Sequence, residues 1–247
     1  MVYLTGDTHG ELDRFKDGGL RRAGKGDFVV VLGDFGFVWD GSKAEQKNLD
    51  WLRKRPYTIL FLDGSHENYD LLEQYPTEER FGGLVQPLGG NVYHVCRGSV
   101  LELEGKKYLC FGGAESPDKE EREAHVNWWP QEMPSDEEYA RCEAALEANG
   151  WQVDYVLTHD APSKFLDFSV LAEGENRHEN DLREMVLRLP SQGCAALYQE
   201  PLPLLRCSEH RREEAVVEEK ITKKDCRGQS FFVTQFIAPA LSNICST

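Results

Sequence analysis

Four short apolar runs, rich in β-branched residues, are each followed at once by a turn that carries aspartate or histidine. The first run begins at Val2, and the others are Asp27–Leu32, Tyr57–Leu62 and Val153–Thr158. Runs of this length and composition predict buried strands. Charged segments with apolar residues at helical spacing separate the first three runs, so the chain is predicted to form an α/β sheet with parallel members.

The turns after these strands contain the residue types that bind transition metals. The candidates are Asp7, His9, Asp34, His66 and His159. Ligands of open α/β sheets bind at the carboxyl ends of the strands, and carboxylate oxygen with imidazole nitrogen suits Zn, Mn or Fe. Any one of these residues is also typical of a plain turn or of an ordinary strand-end histidine. Their repetition at successive strand ends favours a metal site.

A site of this composition is suited to phosphoester chemistry. Two cations about 3.5–4 Å apart can bind both the attacking and the leaving oxygen of a phosphoryl transfer. Such a site needs a bridging carboxylate, neutral imidazoles on either side, and a water acidic enough to attack at neutral pH. A further histidine that is not a ligand can protonate the leaving oxygen. The five candidates supply each of these types.

The motifs GDTHG, GDFG, GSHEN and THDAP, in this order, resemble the calcineurin-like metallophosphoesterase superfamily over about residues 1–190. The GGAES loop and the WWPQEMPS segment resemble a small bacterial or phage branch of it. The resemblance implies an α/β fold of four layers, an α-β-β-α sandwich with two packed mixed sheets, and a dinuclear metal site at one sheet edge.

Site roles follow from the resemblance, motif by motif. Asp7 and His9 would bind one metal, Asp34 would bridge both, and His159 would bind the second. His66 would be the general acid or would stabilise the transition state. The resemblance implies two divalent ions, and Mn is favoured over Fe, Zn and Ni as the metal.

Two departures from the family pattern bear on activity. Ser65 stands where the third motif normally has asparagine, which predicts a weak or empty second metal site. The closing Gly-His-x-His motif is missing, and the chain reads SQGCAALY where it is expected. Composition also changes there. We therefore divide the chain into a metallophosphoesterase domain, 1–190, and a divergent segment, 191–247, that is frameshifted or replaced.

These features leave two functional hypotheses of different classes. The leading one is a metal-dependent phosphoesterase of reduced activity that hydrolyses a phosphate mono- or diester with metal-activated water. The alternative is a catalytically inactive binding or regulatory protein with the same fold. The segment GDFGFVWD lacks the second aspartate and the arginine of the Ser/Thr phosphatases, which argues against a dedicated phosphoprotein phosphatase. A nucleotide-binding module is disfavoured because no Walker-type or dinucleotide glycine loop is present.

Composition limits the partners. The formal charge of −15 over 247 residues argues against a nucleic-acid surface, although metals can still bind a small phosphorylated substrate. No apolar run approaches the roughly 18 residues that span a membrane. No signal peptide is recognisable, and the seven cysteines lack CxxC spacing. These features predict a cytoplasmic protein with reduced thiols, and they do not indicate its oligomeric state.

The remaining patterns predict local structure. Helices are expected over Glu11–Ala23, Lys43–Lys54, a Ser135-capped segment to about Asn149, and Asn180–Leu189, and further strands at Val92–Val95, Ser99–Leu103 and Lys107–Phe111. Glu67 has two interpretations, orientation of His66 or capping of the next helix. For Trp128 and Trp129, packing in the core or in a lid is the preferred interpretation, and a platform for base stacking is the alternative.

Overall fold

The computed structural model describes residues 1–16, 20–116 and 118–160, together with the strands Gly193–Ala196 and Leu205–Cys207. The predicted helix Asn180–Leu189 and the predicted boundary at residue 190 lie outside the described residues. Both remain predictions.

The elements alternate between strand and helix in the first part of the chain and are mostly strands in the middle. In chain order they are β1 Val2–Thr5, α1 Asp13–Lys16, β2 Phe28–Leu32, α2 Lys43–Arg53, β3 Thr58–Leu62, α3 Tyr69–Leu72, β4 Glu78–Arg80, β5 Gly83–Gly89, β6 Val92–Val95, β7 Ser99–Leu103, β8 Lys106–Phe111, α4 Asp136–Ala148, β9 Tyr155–Thr158, β10 Gly193–Ala196 and β11 Leu205–Cys207. Short 3₁₀ turns lie at Leu20–Arg22, Lys119–Glu121 and Pro130–Glu132.

The strands form two mixed sheets, as predicted. The larger has the order β11-β1-β2-β3-β6-β5-β4, in which β1, β2, β3 and β6 are parallel neighbours and the edge strands pair antiparallel. The smaller has the order β10-β9-β8-β7, with only β7 antiparallel to its neighbour. Strands from beyond residue 190 therefore pair with β9 in one sheet and with β1 in the other.

Successive side chains of each strand point to opposite faces of its sheet, so both faces of each sheet can pack against another layer. On β2, Val30 and Leu32 point into a buried cluster between the two sheets, which also receives Leu101 and Cys110 from the smaller sheet. The opposite face of the larger sheet packs against α1, α2 and α3. The outer face of the smaller sheet packs against α4 through a third cluster that includes Cys142. The predicted α-β-β-α sandwich is confirmed.

Most predicted elements are present, and one capping motif is confirmed in detail. The Ser135 side chain accepts from the amide of Glu138, whose carboxylate in turn accepts from the Ser135 amide at 2.8 Å. This reciprocal pair satisfies two amides at the start of α4 that have no partner within the helix. Cys96, Cys110 and Cys142 are buried thiols that form no disulfide.

Two parts of the prediction were wrong. The helix predicted over Glu11–Ala23 is α-helical only at Asp13–Lys16, with a 3₁₀ turn at Leu20–Arg22, among the residues that the structure describes. The sequence between them includes Gly18 and Gly19, and glycine disfavours a helix interior. The hairpin β4–β5 was missed because β5 contains Pro87, which lies at a register shift.

Within the described ranges, no helix combines the length and the apolar character that a membrane crossing requires.

Candidate metal centre

The loops after β1 and β2 lie side by side because these strands are parallel neighbours. The amide of Asp7 donates to the carbonyl of Gly33 at 3.2 Å, and the amide of His9 donates to the carbonyl of Asp34 at 2.9 Å. The amide of Gly10 donates to the carbonyl of Phe35 at 3.0 Å. Main-chain hydrogen bonds therefore fix the two loops against each other, residue by residue.

Three of the predicted ligands have left-handed backbone. The φ angles are 46° for Asp7, 44° for His9 and 49° for Asp34. This conformation costs an L-residue roughly 1 kcal/mol or more. Such strain persists only where the surroundings impose it, and it is concentrated at functional sites. Its coincidence with three candidate ligands supports a functional role for these loops.

Two glycines make room for the candidate side chains. A Cβ atom on Gly33 would overlap the imidazole of His159, and one on Gly64 would overlap the carboxylate of Asp34. Gly33 also has a φ of +99°, a conformation that favours glycine. Close approach therefore requires glycine at both positions, and at Gly33 the backbone conformation favours it too.

The carboxylate of Asp34 lies at the centre of the candidate residues and is 1% exposed. Its Oδ1 accepts from the amide of His66 at 2.8 Å, and its Oδ2 lies 3.0 Å from His66 Nδ1. Burial would raise the pKa of Asp34, but the charge of His159 and the bonds from His66 outweigh it and hold that pKa well below its ordinary value. Asp34 is therefore a buried carboxylate kept ionised by its neighbours.

His159 offers a buried nitrogen that has no hydrogen-bond partner. Its Nδ1 donates to the carbonyl of Leu32 at 2.8 Å, so Nε2 is the nitrogen that is available to a ligand. Nε2 lies 3.6 Å from Asp34 Oδ1 and is buried without a partner. Burial would lower the pKa of His159, but Asp34, Asp160 and Asp7 raise it to about 9. A field that draws a proton to this ring also draws a metal cation, so the residues fit a divalent ion here.

The five predicted residues form two groups that share Asp34. Asp7, Asp34 and His159 offer ligand atoms within 4.8 Å of one another, and so do His9, Asp34 and His66. The first group is buried, whereas the His9 and His66 side chains are 48% and 35% exposed. A shared Asp34 agrees with the predicted bridge. The partners differ from those implied by the resemblance, since Asp7 groups with His159 and His9 with His66. The individual roles stay predictions.

The loop after β3 places His66 beside Asp34. Ser65 is buried, and its Oγ lies 3.1 Å from His66 Nδ1, which makes it a turn hydroxyl in contact with the imidazole. The hydrogen bond to Asp34 raises the pKa of His66 against the effect of burial. Asp34 thus orients the ring through Nδ1, and Nε2 points away from it toward Arg122, 3.4 Å away.

A buried charge network lies beneath this loop. Arg97 Nε donates to Asp63 Oδ2 at 2.7 Å, and His94 Nε2 lies 3.1 Å from Asp63 Oδ1. The Tyr69 hydroxyl, which accepts from Arg97, donates to the carbonyl of Gly64 at 2.6 Å. Burial would raise the pKa of Asp63, but Arg97 and His94 hold it far below its ordinary value. Sequence reasoning did not find this network, because no local pattern joins β3 to residues more than 30 positions away.

Glu67 follows neither predicted interpretation. Its carboxylate is fully buried and accepts from the amide of Phe35 at 2.6 Å, in the loop that carries Asp34. Asn68, not Glu67, caps α3 by accepting from the amide of Leu71 at 3.1 Å. Glu67 therefore links the second and third motif loops.

An open cleft of about 350 Å³ adjoins the exposed group. It is lined by His9, Gly36, Trp39, Ser42, Asn48 and His66, among others. Trp129 is buried, packs edge-on against Trp39, and donates from Nε1 to Asp70 at 2.8 Å. For Trp129, the preferred interpretation of core packing is confirmed.

Comparison with known proteins identifies a family. A family model described as calcineurin-like phosphoesterase matches residues 1–186, which is most of the chain. Among curated proteins, none matches the chain.

Proposed function

The chain belongs to the calcineurin-like phosphoesterase family, and we propose on that premise that it hydrolyses a small phosphate mono- or diester with divalent metal ions, Mn²⁺ being favoured. The observation that carries the proposal is the pair of carboxylate–imidazole groups that share Asp34. Asp7, Asp34 and His159 would hold one ion. His9, with Asp34, would contribute to a second, more exposed position.

The bound ions would polarise a phosphoryl oxygen. They would also lower the pKa of a water, so that it could attack as a nucleophile at neutral pH. The chain's own residues then have distinct tasks. Asp34 keeps its charge in a buried site, because His159 and His66 surround it. The loops after β1 and β2 hold Asp7 and His9 in strained backbone conformations, which main-chain hydrogen bonds fix.

His66 is proposed to act on the leaving group. Asp34 fixes the orientation of the His66 ring through Nδ1, so Nε2 is the nitrogen that remains for a substrate. The side chain is 35% exposed and lines the open cleft. A positioned imidazole can donate a proton to a leaving oxygen, a contribution typically of about 10²- to 10⁴-fold. The organic part of the ester would lie in the cleft beside Trp39.

The test is metal content together with turnover. The purified protein is expected to bind Mn²⁺, measured by mass spectrometry of the metal, and to hydrolyse p-nitrophenyl phosphate. Asp34→Asn removes charge from both groups, and we expect activity to fall roughly 100-fold or more, since even the loss of an outer partner of a ligand costs 10- to 100-fold. Asp50→Asn, on the exposed side of α2, is the matched control and is expected to leave activity unchanged.

Two outcomes would contradict the proposal that this protein is a hydrolase. Stoichiometric metal without turnover of any aryl phosphate would favour the binding or regulatory protein instead. Turnover that survives Asp34→Asn would show that the shared carboxylate is not part of the reaction.

A further inference from the structure

A segment of the chain lies beside the loop that carries His66. It runs from Ser116 to Trp129, without residue 117, and is called here the cover segment. Its first end is anchored by Glu132, which is 1% exposed and accepts from the Ser116 amide at 3.0 Å and from its hydroxyl at 2.9 Å. Its other end is anchored by Trp129, which is also buried and donates to Asp70. Both anchors are buried, so the cover segment is fixed at its two ends beside the loop that carries His66.

Arg122 projects from the cover segment toward the site. Its Nη2 lies 3.4 Å from His66 Nε2, the ring nitrogen that faces away from Asp34. Its Nε is 2.9 Å from Asp118 Oδ1, and its Nη1 donates to the carbonyl of Asn127 at 3.2 Å. The side chain is 18% exposed. Two of its nitrogens are thus fixed within the cover segment, and the third is directed at the imidazole.

The contact with His66 is a weak one for a guanidinium. A distance of 3.4 Å exceeds the usual range for a nitrogen–oxygen or charge-assisted bond. Arginine forms its stronger bonds with phosphate oxygens, which match the fork of its N–H groups. An anion beside His66 Nε2 would therefore be a better partner for Nη2 than the ring nitrogen is.

We propose that Arg122 binds a phosphoryl oxygen of the substrate beside His66 and so makes the site favour phosphomonoester dianions over diester monoanions. This inference rests on the proposed function and narrows its substrate class. A fixed cation attracts a dianion about twice as strongly as a monoanion at the same distance. A monoester also presents one more terminal oxygen to the guanidinium. Asp118 and the Asn127 carbonyl preorganise Arg122 for this contact.

The test compares two esters and one anion. Arg122→Gln is expected to lower kcat/KM for p-nitrophenyl phosphate roughly 10- to 100-fold, the range for a hydrogen bond to a charged group. The loss for bis(p-nitrophenyl) phosphate is expected to be only about 3- to 10-fold, because a monoanion loses about half as much attraction energy as a dianion. The affinity for inorganic phosphate, measured by calorimetry on the Mn²⁺-loaded protein, is expected to fall along with the monoester value.

The controls separate binding from folding and from general charge. Lys119→Gln removes another cation of the same segment, one that pairs with Glu115. This variant is expected to change neither kcat/KM for the two esters nor the affinity for phosphate. Arg122→Lys keeps the charge and is expected to recover part of the monoester rate. If Arg122→Gln fails to fold, the lysine variant and its phosphate affinity decide the question.

The inference and the proposed function can fail separately. If the wild-type protein hydrolyses neither ester, the proposed function fails, and the phosphate affinity of Arg122→Gln still tests the contact. Equal losses on both esters, or unchanged phosphate affinity at unchanged metal content, would overturn the role of Arg122.

Discussion

The two halves of the candidate site are held by different forces. The loops after β1 and β2 are joined by main-chain hydrogen bonds of 2.9–3.2 Å. The loop after β3 is supported by the buried Asp63–Arg97 pair and by the Tyr69 hydroxyl. Main-chain hydrogen bonds are compatible with many side chains, but they need glycine where two backbones meet. The stability that a buried ion pair provides is lost when either charge is removed. The first half is therefore expected to be sensitive to added volume, and the second to lost charge.

The largest effect on stability is expected at Arg97. Arg97→Met leaves Asp63 buried without its main counter-charge, and breaking a buried pair costs roughly 3–5 kcal/mol. Arg80→Met is the matched control, because its pair with Glu78 is solvent-exposed and such pairs contribute at most about 1 kcal/mol. Urea unfolding of both variants measures the difference.

A second substitution tests the reason for that loss. If the cost of Arg97→Met comes from the uncompensated charge of Asp63, adding Asp63→Asn is expected to restore part of the stability. A double variant no more stable than Arg97→Met would show that Arg97 acts instead through its bonds to the carbonyls of Gln131 and Glu132.

The next effect is expected in the other half, at Gly36. Gly36 and Gly41 have similar φ angles of +69° and +66°, so alanine costs each about the same in backbone strain, roughly 1–2 kcal/mol. A Cβ on Gly36 would lie 2.6 Å from the Gly10 nitrogen, whereas one on Gly41 would meet nothing within 4 Å. Gly36→Ala is therefore expected to cost about 1–3 kcal/mol more than Gly41→Ala, from overpacking.

Turnover distinguishes the two glycine variants further. Because the Cβ of Gly36→Ala would also press on the backbone of His9, metal-dependent hydrolysis is expected to fall in that variant and to persist in Gly41→Ala. Equal stability of the two variants would refute the view that close backbone approach holds the first half together.

The same contrast explains what the sequence could predict. Asp7, Asp34 and His159 follow buried apolar runs directly, so hydrophobic pattern and glycine turns were sufficient to place them together. Their positions depend on strand ends, which are local features. The four-layer fold needed in addition the resemblance to a family, because periodicity alone does not specify how two sheets pack.

What the sequence missed depends on long-range contacts or on broken patterns. Arg97 meets Asp63 across 34 residues, and Arg122 meets His66 across 56. Arg122 lies in a charged stretch, DKEERE, that is typical of ordinary surface. The strand β5 was hidden by Pro87, which is tolerated at its bulge. Glu67 was read as a local residue, but its partner is the amide of Phe35 in another loop.

The smallest of these effects is an acid dependence confined to the second half. The pKa of Asp63 is held far below its ordinary value by Arg97 and His94, against the effect of burial. Its contribution to the free energy of unfolding is therefore fully present above the unfolded pKa of about 4, and it declines as pH falls below that value, by at most about 1.4 kcal/mol per pH unit. The stability difference between the wild type and Asp63→Asn, from urea unfolding, is expected to shrink between pH 5 and pH 3. The difference between the wild type and Gly36→Ala is expected to stay constant over the same range, because a steric overlap binds no proton. A flat Asp63→Asn difference would mean that Asp63 does not support its loop through charge.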